Sequence, residues 1–424
     1  MSRGGAVKPA LRVLVAASLG LCIAGQEAGS QTIAITGGTV HPVSGPAIEN
    51  GTVIVRDGRI VAVGRAVAIP AGARQVDARG KVVTPGFIHA ASNLGLLEVG
   101  SIDATDETDA QGDVTPSFDV SEGLNPASVR IPVARLEGVT SSIVVPGSGL
   151  LPGQAVWIGL RGQREEDVLR QRGVATMADL GSAAKSAGGG ARAAGLSRLR
   201  QILRDAREYD RRREDWRRAA MQPLAAPVAE LEAMLPVLRG ERPLYAIARS
   251  ERDIRNALRL AAEFQLKLVI LGGDEGWQVA PELAKAGVPV VVDGFANIPG
   301  FDGLGVRWDN AALLAEGGVA VIIRETESGG PRNLRFAAGH AVRNGLSWEK
   351  ALEAVTLAPA RAFGAEDRAG SLAAGRLADV VVWSGDPFEP STQAELVLIG
   401  GQEVPATSRM TELLERYRRL PPAP

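Results

Sequence analysis

The chain has 424 residues, 45% of them hydrophobic and 22% charged, which is the make-up of an ordinary globular protein. Its length suits two to three domains, or one barrel with a smaller module. A formal net charge of −1 excludes a global field that would gather nucleic acid or an anionic membrane surface. With three histidines and one cysteine, imidazole and thiol chemistry are scarce.

Residues 1–30 read as a signal peptide. Arg3, Lys8 and Arg12 form a positive leading region, and residues 13–24 form an apolar run too short to span a bilayer as a helix. Ala28-Gly29-Ser30 has the small-x-small form of a cleavage site, with Ala24 as the alternative. An uncleaved anchor is the competing reading. Cys22 lies inside the run after Leu21, which is not the small residue a lipoprotein signal favours. The mature protein is then expected to lack cysteine and to be exported to the periplasm of a bacterial envelope. No later segment approaches about 18 consecutive apolar residues, so no membrane association is expected after cleavage.

Residues 31–85 alternate in short β-like runs broken by Gly, Pro and Asp-Gly, with a hairpin signal at Arg56-Asp57-Gly58-Arg59. From residue 86 the pattern changes. Apolar runs at 139–145, 243–248, 267–273, 288–295 and 319–325 alternate with amphipathic stretches. Continuous apolar strands spaced by helices predict a parallel sheet buried on both faces, and the number of units favours an α/β fold of the (β/α)8 TIM type over 86–364. The Ala/Gly-rich stretch 183–195 reads as a flexible insertion, opening a helical insertion near 183–235. There Leu196, Leu199, Leu203 and Ala206 share one face. The opposite face interleaves arginines with Asp and Glu, which predicts a solvated, salt-bridged surface and no nucleic acid partner. Residues 365–424 turn β-rich again before a tail, so a β-sandwich module built from both chain ends, with the barrel inserted in it, is expected.

Specific motifs extend this reading. Val82-Val83-Thr84-Pro85-Gly86-Phe87-Ile88 follows GTVIVRDGRIVAVG, residues 346–364 read LSWEKALEAVTLAPARAFG, and GSLAAGRLADVVVW at 370–383 precedes Gly385-Asp386-Pro387-Phe388. Together, in this order and a barrel apart, they resemble the amidohydrolase superfamily. Residues 125–154 are similar to its imidazolonepropionase-related subgroup. The resemblance implies hydrolysis of carbon–nitrogen bonds other than peptide bonds in small molecules, with zinc or another divalent metal as cofactor.

The same resemblance implies Asp-x-His-x-His after the first barrel strand, where this chain has His89-Ala90-Ala91-Ser92-Asn93. Further ligands are implied where it has Ile247-Ala248-Arg249, Leu271-Gly272-Gly273 and Arg324-Glu325-Thr326. Alanine and glycine have no donor, and Asn is a poor zinc ligand. The expectation is therefore a superfamily member that has lost its metal site and holds no cofactor. His89, in place of the Asp, and Glu325, in place of the final Asp, are the candidates for retained catalysis. Asn93, Arg249, Arg324 and Asp293, at strand ends, are candidates for binding a small molecule. The competing reading is a non-catalytic binding or scaffold subunit, in a homo-oligomer or beside an active related amidohydrolase. His41 and His340 read as structural, and Asp103, Asp106, Glu107, Asp109 and Asp113 as a solvated loop. Asp274 and Glu275 read as a helix start or an acid–base pair.

Overall fold

The computed structural model describes residues 32–218, 222–326 and 330–418. The predicted signal peptide lies outside the described residues.

Strands β1 (Ile33–Val40), β2 (Ile48–Arg56) and β3 (Arg59–Gly64) form an antiparallel meander. The turn between β2 and β3 puts Asp57 and Gly58 at φ 51° and 74°, the left-handed pair that a two-residue hairpin requires. The other edge of β1 pairs in parallel with β4 (Arg74–Asp77) along its first half and with β5 (Val82–Pro85) at its end.

Eight strands then make the second sheet. They are β6 (Phe87–Ser92), β7 (Val139–Val144), β8 (Gln154–Gly159), β9 (Leu169–Asp179), β10 (Leu244–Ala248), β11 (Leu268–Gly272), β12 (Val290–Asp293) and β13 (Val321–Arg324), neighbours in chain order. This is the expected barrel with one departure: β8 runs antiparallel to both β7 and β9. The connections on either side of β8 are too short for the dozen or more residues of a crossover helix, so the chain turns back as hairpins.

The sheet is apolar on both sides, as its continuous hydrophobic runs require. One face packs on the surrounding helices, through residues such as Leu199, Leu203, Ile254 and Leu283. The other encloses Ile88, Ile143, Trp157, Met177, Tyr245 and Leu271. Phe363, just after helix Leu357–Ala362, plugs this interior with its ring centroid 5.2 Å from that of Tyr245.

The chain returns through β14 (Val380–Trp383), antiparallel to β5, then β15 (Ala394–Ile399) and β16 (Gln402–Glu403). The expected sandwich takes the form of a single curled sheet. Main-chain bonds from Gly375 and Ala378 to the carbonyls of Ile60 and Gly58, and from Ile60 to the Arg376 carbonyl, close its free edge over a core that includes Ile35, Val53, Val83 and Val380.

The stretch read as a flexible insertion is instead a close helical hairpin, Ser182–Ala187 against Arg192–Arg211. A Cβ on Gly195 would lie 2.0 Å from the carbonyl oxygen of Ala184, so glycine here serves close approach rather than mobility. Among the described residues, no helix is long and apolar enough to cross a membrane.

Candidate functional site

Parallel strands deliver their C-terminal ends to one face, so the barrel mouth collects the residues that follow β6, β9, β10, β11, β12 and β13. His89 is 1% exposed on β6. Its Nδ1 accepts from the Ala91 amide at 3.3 Å, which leaves Nε2–H to donate to the Glu325 carbonyl at 3.1 Å. Burial holds its pKa down to about 4, helped by the Arg324 charge and opposed by the Glu325 bond and Asp293. The ring is therefore neutral near pH 7. The two candidates for retained catalysis are brought together, through the main chain of Glu325. Its carboxylate is buried as well.

Arg324 leaves β13 beside them. Its Nε is buried without a hydrogen-bond partner, and burial lowers the guanidinium pKa against the pull of Tyr245 and Asp293. Tyr245 stands beneath, donating to the Ala90 carbonyl at 3.1 Å, and burial pushes its phenol pKa up. Asp293 braces the rim. It accepts from the Phe295 amide at 2.9 Å, the Thr326 amide at 3.1 Å and the Thr326 hydroxyl.

Arg249 reaches Asp274 at 3.2 Å. Burial raises the Asp274 pKa, and Arg249 opposes the rise. A Cβ at Gly272 would meet Arg249 Cγ at 3.0 Å, so the arginine stem lies where a side chain at 272 would begin. Asn93, just past β6, accepts from Arg130 at 3.0 Å.

Two residues escaped sequence reasoning, one at the mouth and one beneath it. Asp179 ends β9 and accepts from the Gly181 amide at 2.7 Å, with its pKa raised by burial. Its signal was an acid followed by Leu-Gly-Ser at the end of an apolar run. Tyr245 carried none, since in PLYAIA it reads as core. The other candidates are structural in this geometry. Glu275 accepts from the amide of Glu251, the first residue of helix Glu251–Phe264. Asp106 and Asp109 brace loop amides, and Asp113 pairs with Arg198. His41 packs on Trp348 with ring centroids 4.5 Å apart. His340 lies 2.8 Å from the Gly294 carbonyl.

The places at which the resemblance implies imidazoles are thus visible. Ala91 and Ile247 belong to the apolar packing of the interior, Asn93 is held by Arg130, and Gly272 underlies Arg249. Among the described residues, no three His, Cys, Asp or Glu side chains are grouped to hold a metal ion. A cavity of about 10 Å³ touches Asp274 and Asp293 at this end, whereas one of about 910 Å³ opens at the opposite face, lined by Gly173, Arg242, Lys267 and Phe363.

Comparison with known proteins adds lineage to this geometry. The family model described as Amidohydrolase family (Amidohydro_3) matches residues 320–405. The amidohydrolase tasK of Hapsidospora irregularis is 25% identical over 386 residues, 83% of this chain and 39% of tasK. A 5-methylthioadenosine/S-adenosylhomocysteine deaminase of Symbiobacterium thermophilum is 46% identical over 72 residues, 15% of this chain and 16% of the deaminase. The chain thus spans well under half the length of these curated relatives. The crystal structure of an amidohydrolase from Thermotoga maritima MSB8 superposes with a TM-score of 0.80 at 29% identity, covering 89% of this chain and 100% of that one.

Proposed function

The chain belongs to the amidohydrolase superfamily, and we propose that within it this protein is a non-hydrolytic binding or assembly subunit, exported to the cell envelope. One observation carries the reading: the places of the ligating imidazoles hold Ala91, Asn93, Ile247 or Arg249, and Gly272. A catalytic zinc needs three protein donors and an open position. Ala91 and Gly272 offer none, and His89 has both ring nitrogens engaged in main-chain bonds. These residues do not fit a superfamily metal centre.

His89 and Glu325 enter this reading as the structural centre of the mouth rather than as acid and base. Arg249 and Arg324, among the carboxylates of Asp179, Asp274 and Asp293, supply charge for a small-molecule ligand. A specific feature favours an assembly role. In the loop 294–309 beside the mouth, Ile298, Phe301 and Leu304 are 89%, 99% and 68% exposed, an apolar display of the kind that marks protein contacts. The partner proposed is another subunit of this fold, a second copy or a relative with the full histidine set. Export rests on the positive and apolar pattern of residues 1–30.

The test is metal analysis of the full chain purified with zinc, manganese and iron supplied in excess, alongside turnover of small amides and dipeptides. Metal far below one equivalent and no turnover are expected. Stoichiometric metal with chelator-sensitive hydrolysis would overturn the proposal.

A further inference from the structure

At the face opposite the mouth, a cavity of about 300 Å³ lies between the barrel and the β-module. Among the described residues, four arginines line it, Arg59, Arg161, Arg170 and Arg368, with Asp167 as the one carboxylate. Asp167 is already paired with Arg164 at 3.1 Å. Arg170 is matched by Asp379 through two bonds of 2.7 and 3.0 Å. Arg368 donates to the Gln171 amide oxygen, with Asp367 3.6 Å from its Nε.

The remaining two are not neutralised. Arg59 bonds the Gly375 carbonyl at 2.7 Å and Arg161 the Gln402 amide oxygen at 2.7 Å, both neutral acceptors. Among the described residues, no carboxylate pairs with either. A second observation points to a missing acceptor. Trp157, 2% exposed, lines the same cavity, and its indole N–H is buried with no hydrogen-bond partner. A buried donor left unmade is costly, and such groups in native structures call for an acceptor. The guanidinium carbons of Arg170 and Arg368 lie 5.2 and 5.3 Å from the Trp157 ring centroid, which fixes two of the cations beside it.

We propose that this cavity binds a small oxyanion of the phosphate class, either free phosphate or the phosphate of a small ester. Planar guanidinium forks suit the several oxygens of phosphate, and an acceptor oxygen would also satisfy the indole. Leu377 and Ile399 give the cavity an apolar wall, and its volume sits at the lower end of small-molecule sites, roughly 300–1,000 Å³.

Isothermal titration of the full chain with inorganic phosphate, glycerol 3-phosphate and succinate, at matched chloride and ionic strength, tests the site. One saturable equivalent of phosphate or glycerol 3-phosphate is expected, with succinate much weaker. Tighter binding of the ester identifies an ester site, and equal binding a site for free phosphate. Arg59→Gln and Arg161→Gln should each weaken binding about tenfold or more, and Trp157→Phe several-fold, in proteins whose melting in chloride shows them folded. Arg343→Gln, an exposed arginine at the end of helix Leu334–Arg343, should leave it unchanged. No saturable binding, equal binding of succinate, indifference to Arg59→Gln and Arg161→Gln, or a matching loss in Arg343→Gln would each overturn the assignment.

Discussion

The Nε2 atom of His89 lies 3.1 Å from the main-chain oxygen of Glu325, joining β6 to the residue just past β13. These are the two outermost strands of the barrel sheet, and among the described residues they form no ladder pairs with each other. A neutral imidazole here acts as a clasp across the seam, with its tautomer set by the Ala91 amide.

His89→Leu should therefore destabilise the protein by about 1–3 kcal/mol near pH 7, since it removes both main-chain bonds that the buried ring makes. The effect should depend on pH in a defined direction. His89 titrates at about 4 in the fold, against an ordinary 6.5. Between those values the unfolded chain binds the proton and the folded chain does not. Wild-type stability then falls as the pH is lowered from 6.5 towards 4, by on the order of 3 kcal/mol, and is flat in this respect above 6.5. The leucine variant lacks that slope. Urea denaturation of both proteins should show their gap largest at neutral pH and narrowing in acid.

Ala91→His places an imidazole in the apolar interior. The single variant should lose about 1–3 kcal/mol through overpacking and an unpaired polar group, and should take up no stoichiometric zinc. Thermal melts with and without zinc, read beside metal analysis, check this. A zinc-dependent rise in the melting temperature would mean that the mouth retains a partial ligand set.

The Arg170–Asp379 pair fastens the barrel to the β-module. Its side chains are 14% and 8% exposed, and Asp379 also accepts the Gly400 amide at 2.9 Å. Asp379→Ala should cost about 3–5 kcal/mol by leaving the guanidinium unpaired, whereas the double variant Arg170→Met with Asp379→Leu should cost less. Chemical denaturation of the set measures the difference.

Gly195→Ala opposes helix propensity to packing. Propensity alone predicts a gain of about 1 kcal/mol in helix Arg192–Arg211. The 2.0 Å approach to the Ala184 carbonyl predicts instead a loss of about 1–3 kcal/mol, because the obstacle is backbone and cannot swing aside. A raised melting temperature would show that the hairpin is looser than described.

Much of the scaffold was legible because it rests on local signals. The Asp57-Gly58 turn, the apolar runs of the barrel and the Pro85-Gly86-Phe87 entry each state their structure within a few residues. Strand β8 was not legible: QAVWIG stands outside the runs that mark the barrel, and its direction is decided only by the short connections on either side. Side-chain commitments were also hidden. Asn93 sits two residues after Ala91, yet it is taken by Arg130. The bond from His89 to Glu325 joins residues 236 positions apart through a carbonyl that any residue would supply. The Gly-rich stretch misled because glycine signals mobility and close approach with the same letter.

The β-module has a temporal consequence. Thr84 on β5 takes its antiparallel partner from Val381 on β14, so strands made early wait for the last stretch of the chain. Long-range pairing of this kind slows folding, because the intervening loop must be closed before the contact rewards it. During synthesis, the edge of β5 stays open until the segment around residue 380 has been made. The barrel has its strands well before the module has its own, and a chain cut short before residue 380 leaves β5 as a bare edge, a template for pairing with other chains.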